Sequence, residues 1–234
     1  MDTRTRHALK QDKFALAAKS SASWVSEHQI SVTRWSIGIA VVVVVLIAVL
    51  VFWNIRSSAG DAALGSAMDV YTSPLALPGA PAEAGVYTTA EARAKEANRE
   101  FVAIAQNFSW LPAGAKARYF SGLTYEELGQ NGNAESQLRG VAGSWNQNLA
   151  NLAKLALAGL YQQENRDDEA VSLYKELAAK PSVTVSAGTA QLALADLYAS
   201  QGKLDQARVL WAKVRDSDKA GAAGSIAAQK LNGQ

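Results

Sequence analysis

Residues 158–177 read AGLYQQENRDDEAVSLYKEL, and the spacing inside this stretch recurs along the chain. A small residue, Ala158, is followed by Tyr161, then by the turn former Asn165, then by Ala170. The same offsets hold for Gly122, Tyr125, Gly129 and Ala134, and again for Ala195, Tyr198, Gly202 and Ala207. Past each alanine an apolar pair follows at i+4 and i+7. The sets are Ala97-Phe101-Ile104, Ala134-Leu138-Val141, Ala170-Tyr174-Leu177 and Ala207-Trp211-Val214. The alanines stand 37, 36 and 37 residues apart. Offsets of i, i+4 and i+7 lie on one face of a helix. Glycine and asparagine tolerate the left-handed conformation that ends one. Each unit therefore reads as helix, tight turn, helix. The small residue lets the two helices approach, and the tyrosine fills the space beside it.

Outward from these units the pattern thins. Leu64, Ala67, Met68 and Tyr71 share a helical spacing and suit the first helix of an earlier unit, whose second helix holds Ala97. Between them, residues 72–88 carry Pro74, Pro78 and Pro81 with Gly79 and Gly85, which excludes a continuous helix and predicts an exposed insertion. Pro112 and Pro181 fall between units, where a helix must stop. Residues 220–231 are expected to form a short helix closing the stack.

Residues 35–55, WSIGIAVVVVVLIAVLVFWNI, contain no ionisable side chain, and Arg34 and Arg56 bracket them. As a helix this run is about 31 Å long, matching a hydrocarbon core of about 30 Å. Trp35 and Trp53 stand near its ends, where indoles favour the headgroup level. A cleaved signal peptide with a small-residue site at Ser57-Ser58-Ala59 is the competing reading. The apolar run is long for one, and the preceding 34 residues are too many for its basic region. Residues 1–34 carry six basic and three acidic residues, a net of +3, and only Arg56 is basic among the residues that follow Ile55 closely. This bias keeps residues 1–34 as a cytoplasmic basic tail and sends residues 56–234 across. Within the tail, residues 8–33 place Phe14, Trp24, Val25 and Ile30 among Ala, Ser and Lys. They read equally as an amphipathic surface helix or as a frayed tail.

The chemistry of the rest is defined by exclusions. Cysteine is absent, so disulfides, thiolate metal sites and a cysteine-borne lipid anchor are ruled out. His7 and His28 both precede the membrane segment, leaving residues 56–234 without an imidazole base. Ser172-Leu-Tyr-Lys175 matches a serine–lysine nucleophile spacing but sits on a repeat helix without the motif's companions. Asp167-Asp168-Glu169 reads as the acidic first turn of a helix rather than a metal site. There is no glycine-rich phosphate loop. Residues 57–234 hold 16 basic and 18 acidic residues, a net of −2 without a basic cluster, which argues against nucleic acid. The expectation is a non-enzyme with no catalytic residue, no metal, no cofactor and no small-molecule substrate. The recurring Tyr125, Tyr161, Tyr198 and Trp211 read as core rather than as a binding stripe.

The repeated residues resemble the tetratricopeptide repeat, whose signature carries a small residue, a tyrosine, a turn glycine, an alanine and a late aromatic in this order. The period here is two or three residues longer than that family's usual length of about 34. Arg118, Lys154 and Gln191 stand where the family has an early tryptophan. The resemblance implies an all-α array of about three to four units, binding other proteins through a concave face lined by the first helix of each unit. Carried onto this sequence, the groove positions are Lys116, Tyr119, Leu123 and Glu126 in one unit. Leu152, Leu155 and Gln162 follow in the next, and Thr189, Leu192 and Asp196 in the third. This lining is mostly apolar and lacks the Lys, Arg and Asn set that clamps a peptide carboxylate in some members. An extended or amphipathic polypeptide is the expected ligand.

The layout of tail, single-pass anchor and repeats is similar to the ancillary subunit of the bacterial Sec translocon. That resemblance implies an inner-membrane protein with an N-terminus in the cytoplasm and its repeats in the periplasm. It implies translocon subunits, a membrane-anchored periplasmic chaperone and polypeptide clients as partners in protein transport. The rival is a structural anchor that recruits envelope-assembly or cell-division proteins. An import receptor with cytosolic repeats is disfavoured by the charge bias.

Overall fold

The computed structural model describes residues 29–76 and 86–233. The expected surface helix or frayed tail before residue 29, with both histidines, lies outside the described residues, as do Pro78, Gly79, Pro81 and Gly85 of the insertion. Among the described residues the chain is all-α. The chain divides into two compact units, Met1–Arg56 and Ser57–Gln234.

Helix α1 spans Gln29–Thr72. It contains the run expected to cross the membrane, and its most apolar window has a mean hydropathy of 3.0 with none of it buried. By length and composition it can span a bilayer. The sequence reading separated this run from a first repeat helix around Leu64–Tyr71, whereas one helix carries both. No proline lies between Gln29 and Ser73, and Gly60 and Gly65 weaken a helix by only about 1 kcal/mol each relative to alanine.

The second unit holds the rest of α1 from Ser57, then α2 (Ala90–Asn107), α3 (Pro112–Glu127), α4 (Asn131–Ala142), α5 (Gln147–Gln163), α6 (Asp167–Ala179), α7 (Ala187–Ser200), α8 (Leu204–Ser217) and α9 (Ala222–Asn232). The unit-internal turns follow the expected chemistry. Gly129, Asn165 and Gly202 have φ of +69°, +58° and +75°. In each turn the residue after them donates its N–H to the tyrosine carbonyl at 2.8 Å: Gln130 to Tyr125, Arg166 to Tyr161 and Lys203 to Tyr198. Gly129, Asn165 and Gly202 donate to Glu126, Gln162 and Ala199 at 2.9, 3.1 and 3.0 Å. These paired bonds satisfy carbonyls that a helix end leaves open. Helices that open a unit are capped differently. Pro112 starts α3, and the side chains of Asn146 and Ser186 accept from Leu149 N–H and Thr189 N–H.

Gly202 is surrounded by open space, so a Cβ there meets nothing. Gly202→Ala therefore isolates the backbone term. We expect a loss of roughly 1–2 kcal/mol, the cost of a left-handed alanine, seen as a lower urea midpoint with an unchanged slope.

The signature alanines Ala97, Ala134, Ala170 and Ala207 are fully buried where the paired helices cross. A Cβ on Gly122 would come within 2.7 Å of Leu138 Cγ, which is why the smallest residue stands there. Leu64 and Ala67 pack with Ala97, Phe101, Ile104 and Ala117, with Met68 and Tyr71 at the margin, so the split first unit is assembled as expected. Of the recurring aromatics, Trp211 and Tyr161 are buried, but Tyr125 and Tyr198 are only half-buried, which corrects their reading as equal core residues. The cause is local. Tyr161 donates to Glu135 at 3.0 Å, accepts from Arg139 Nε at 3.0 Å and lies 4.1 Å beneath the Arg166 guanidinium. Arg166 also pairs with Glu135 at 2.9 Å. One unit on, the residues in register with Glu135 and Arg139 are Val171 and Lys175, so Tyr198 receives no such clamp.

Other junctions carry other polar ties. Asn98 of α2 is buried and donates to Ser121 O at 3.1 Å and to Thr124 Oγ1 at 2.8 Å. Gln201 donates to Asp167 at 2.8 Å, and Lys230 of α9 pairs with Asp196 at 3.0 Å. The closing helix α9 falls where it was expected.

Candidate functional site

Each position expected in the groove lies on the first helix of a unit: α3, α5 or α7. On α3, Lys116 is exposed while Tyr119, Leu123 and Glu126 are half-buried along the same face. On α5, Leu152, Leu155 and Gln162 are half-buried; on α7, Thr189 is exposed and Leu192 and Asp196 are half-buried. Tyr119, Leu152 and Leu155 pack at the margin of one core cluster, so α3 and α5 share an apolar floor. Leu192 belongs to the next cluster, around Trp211.

Leu123 and Glu126 line a recess together with Tyr71, Glu127 and Gln163. Gln163 of α5 donates to Glu126 at 2.6 Å, and the Tyr71 hydroxyl of α1 donates to Glu127. Burial raises the Glu126 carboxyl above its ordinary range, with the bond from Gln163 opposing. Burial also raises the Tyr119 phenol, helped by the charge of Glu126. Tyr71 is raised strongly by burial and by its bond to Glu127. The recess therefore joins an apolar wall to two carboxylates at one end.

Two predicted positions are tied inside the stack. Gln162 accepts from the Tyr174 hydroxyl at 2.7 Å, and Asp196 accepts from Trp211 Nε1 at 3.2 Å while pairing with Lys230. Both bind the first helix of a unit to the elements that follow it. Sequence reasoning did not bring Tyr71, Glu127 and Gln163 together with Leu123 and Glu126, as this recess does. Tyr71 was read only as helix spacing, and the other two fall one residue off the groove register.

Ser172 and Lys175 are both exposed on α6. Asp167, Asp168 and Glu169 form the first turn of α6, as the helix-dipole argument requires. Among the described residues no group of three or more His, Cys, Asp or Glu is arranged to hold a metal ion.

A family model described as a tetratricopeptide repeat-like domain matches residues 32–233. No curated protein matches the chain, and no solved structure does.

Proposed function

Because the chain belongs to the tetratricopeptide repeat-like domain family, we propose that it is a membrane-anchored scaffold whose first-helix groove takes an extended or amphipathic stretch of another polypeptide. The family fold is a protein–protein interaction scaffold, typically without catalysis. The observation that carries the reading is the run of half-exposed apolar side chains Tyr119, Leu123, Leu152, Leu155 and Leu192 on consecutive first helices. An apolar stripe of this kind accepts apolar side chains at alternating or helical spacing. The carboxylates of Glu126 and Glu127 favour a ligand with a basic residue at that end.

The basic bias before residue 35 supports a cytoplasmic N-terminus and a periplasmic repeat domain in a bacterial inner membrane. The resemblance of this layout to the ancillary subunit of the bacterial Sec translocon is what supports work beside that translocon, with a membrane-anchored periplasmic chaperone and polypeptide clients as partners.

A photo-crosslinker at Leu155 in intact cells tests this. The expected catch is translocon subunits, a periplasmic chaperone and unfolded secretory chains. Leu155→Glu should lower the crosslink yield from a second probe at Leu123 about tenfold, the worth of roughly 1.4 kcal/mol of lost apolar contact. Leu155 packs at the margin of the core, so the variant should lose about 1–2 kcal/mol of stability while staying folded, which a thermal melt checks. Envelope-assembly or cell-division proteins as the main catch would favour the structural-anchor reading. An unchanged yield with the variant folded would remove the groove from consideration.

A further inference from the structure

The two ends of the repeat stack differ in chemistry. Around the links that join one unit to the next, residues 107–115, 140–153 and 181–195 contain no Asp, Glu, Lys, Arg or His, although Lys180 opens the third link and the last link, before α9, carries Asp218 and Lys219. The turns inside units are dense in charge: Glu126, Glu127 and Glu135 flank the first, and residues 164–169 read ENRDDE. Paired helices run antiparallel, so links gather at one end of the stack and turns at the other. Two contacts place the links together with the start of the second unit. A Cβ on Gly60 would lie 3.1 Å from the Phe108 ring and 3.2 Å from Ala113. Val183 N–H donates to Asn148 Oδ1 at 3.3 Å, and Thr184 Oγ1 donates to Asn148 O at 2.7 Å.

The link end, sparser in charge than the turn end, exposes large apolar side chains. Trp145 is 93% exposed, Val183 95% and Trp110 49%. Serine, asparagine and threonine surround them in the links. An indole with a polar tip beside hydroxyls and amides suits the headgroup region of a bilayer.

We infer that the end of the repeat stack bearing Trp110, Trp145 and Val183 rests on the surface of the phospholipid bilayer that anchors the chain. The inference rests on the reading of residues 35–55 as a membrane anchor. The chain itself supplies the supporting length. Ile55 closes the apolar run, and Gly60 lies against the first link five residues later. Five residues reach at most about 18 Å even when extended. Lipid is thus present at this end at high effective concentration, ahead of any soluble protein. The acidic turns lie at the far end, away from an anionic surface that would repel them. Lys154, Glu176 and Lys180 line the recess beside Trp145, with Lys154 held by Glu176 at 2.7 Å. The Lys180 ammonium suits lipid phosphate.

The chain has no cysteine, so single-cysteine variants of the full chain report position directly. Gln147→Cys, Asp168→Cys and Leu46→Cys, each labelled with a polarity-sensitive fluorophore, are reconstituted in phosphatidylcholine–phosphatidylglycerol vesicles carrying shallow or deep doxyl lipid. The label at position 147 should emit to the blue of that at 168 and be quenched by shallow doxyl at least about twofold more strongly, as interfacial seating requires. Adding Trp145→Ser and Val183→Ser to the Gln147→Cys chain should abolish that difference. The label at position 46 should be quenched by deep doxyl. Equal quenching at 147 and 168, with position 46 still deep, overturns the seating and leaves the anchor standing. Loss of deep quenching at 46 overturns the anchor and the seating with it. A blue shift at 147 that follows protein rather than lipid concentration overturns the inference and assigns this end to a second copy of the chain.

Discussion

Trp211→Ala lowers the stability of the repeat domain by about 3–5 kcal/mol, the usual cost of removing a buried aromatic. Trp211 is 1% exposed and packs with Ala195 of α7, Ala207 and Val214 of α8 and Ala227 of α9. Its Nε1 donates to Asp196, and Lys230 of α9 stands 5.9 Å from its ring centroid. One side chain thus holds three helices, and the cavity it leaves cannot close without moving α9. For a unit spanning Ser57–Gln234, the melting temperature should fall by about 6–20 °C. Amide hydrogens of α9 should exchange first. Trp211→Phe keeps most of the apolar area but loses the N–H and part of the ring volume, so it should cost about 1–2 kcal/mol. Thermal unfolding of the two variants checks the account. Equal losses would mean that the hydrogen bond, not the packing, carries the site.

Ala170→Leu destabilises by about 1–3 kcal/mol through overpacking. Ala170 is fully buried in the cluster formed by Leu157, Ala158, Tyr161 and Tyr174, and a leucine there has to displace a helix. Ala170→Gly errs in the other direction and costs about 1 kcal/mol in helix propensity. A leucine loss in urea unfolding larger than the glycine loss would establish that this crossing has no room beyond alanine. A leucine tolerated without loss would show that α5 and α6 do not meet at residue 170.

What the sequence made legible is what repeats. The alanine interval located four helix crossings, and the turn residues at fixed distance from the tyrosines named all three left-handed positions among the described residues. Those features depend on contacts within one hairpin, so local spacing encodes them. What does not repeat stayed hidden. Tyr125 and Tyr161 occupy the same place in their units, yet only Tyr161 is buried, because Glu135 and Arg139 come from the preceding unit. The continuity of α1 was missed because an apolar run and a repeat helix were read as separate signals, with no stop between them. The groove register placed Gln162 and Asp196 on the first-helix face. It did not reveal that Tyr174, Trp211 and Lys230 hold them. Tyr71, Glu127 and Gln163 come together from three helices, and no spacing along one helix announces such a meeting.

The polar ties between units have a consequence for how this array can evolve. The position one residue past the signature alanine is Asn98, Glu135, Val171 and Arg208 in successive units. Asn98 answers Ser121 and Thr124, whereas Glu135 answers Tyr161 and Arg166. A duplicated or transposed unit would set Glu135 against Ser121, or Asn98 against Arg166, and lose the hydrogen bonds that tie those joints. Arrays of interchangeable units can grow and shrink by recombination; here the first two joints are each keyed to their own neighbour, so a copy of either unit set elsewhere would forfeit its tie.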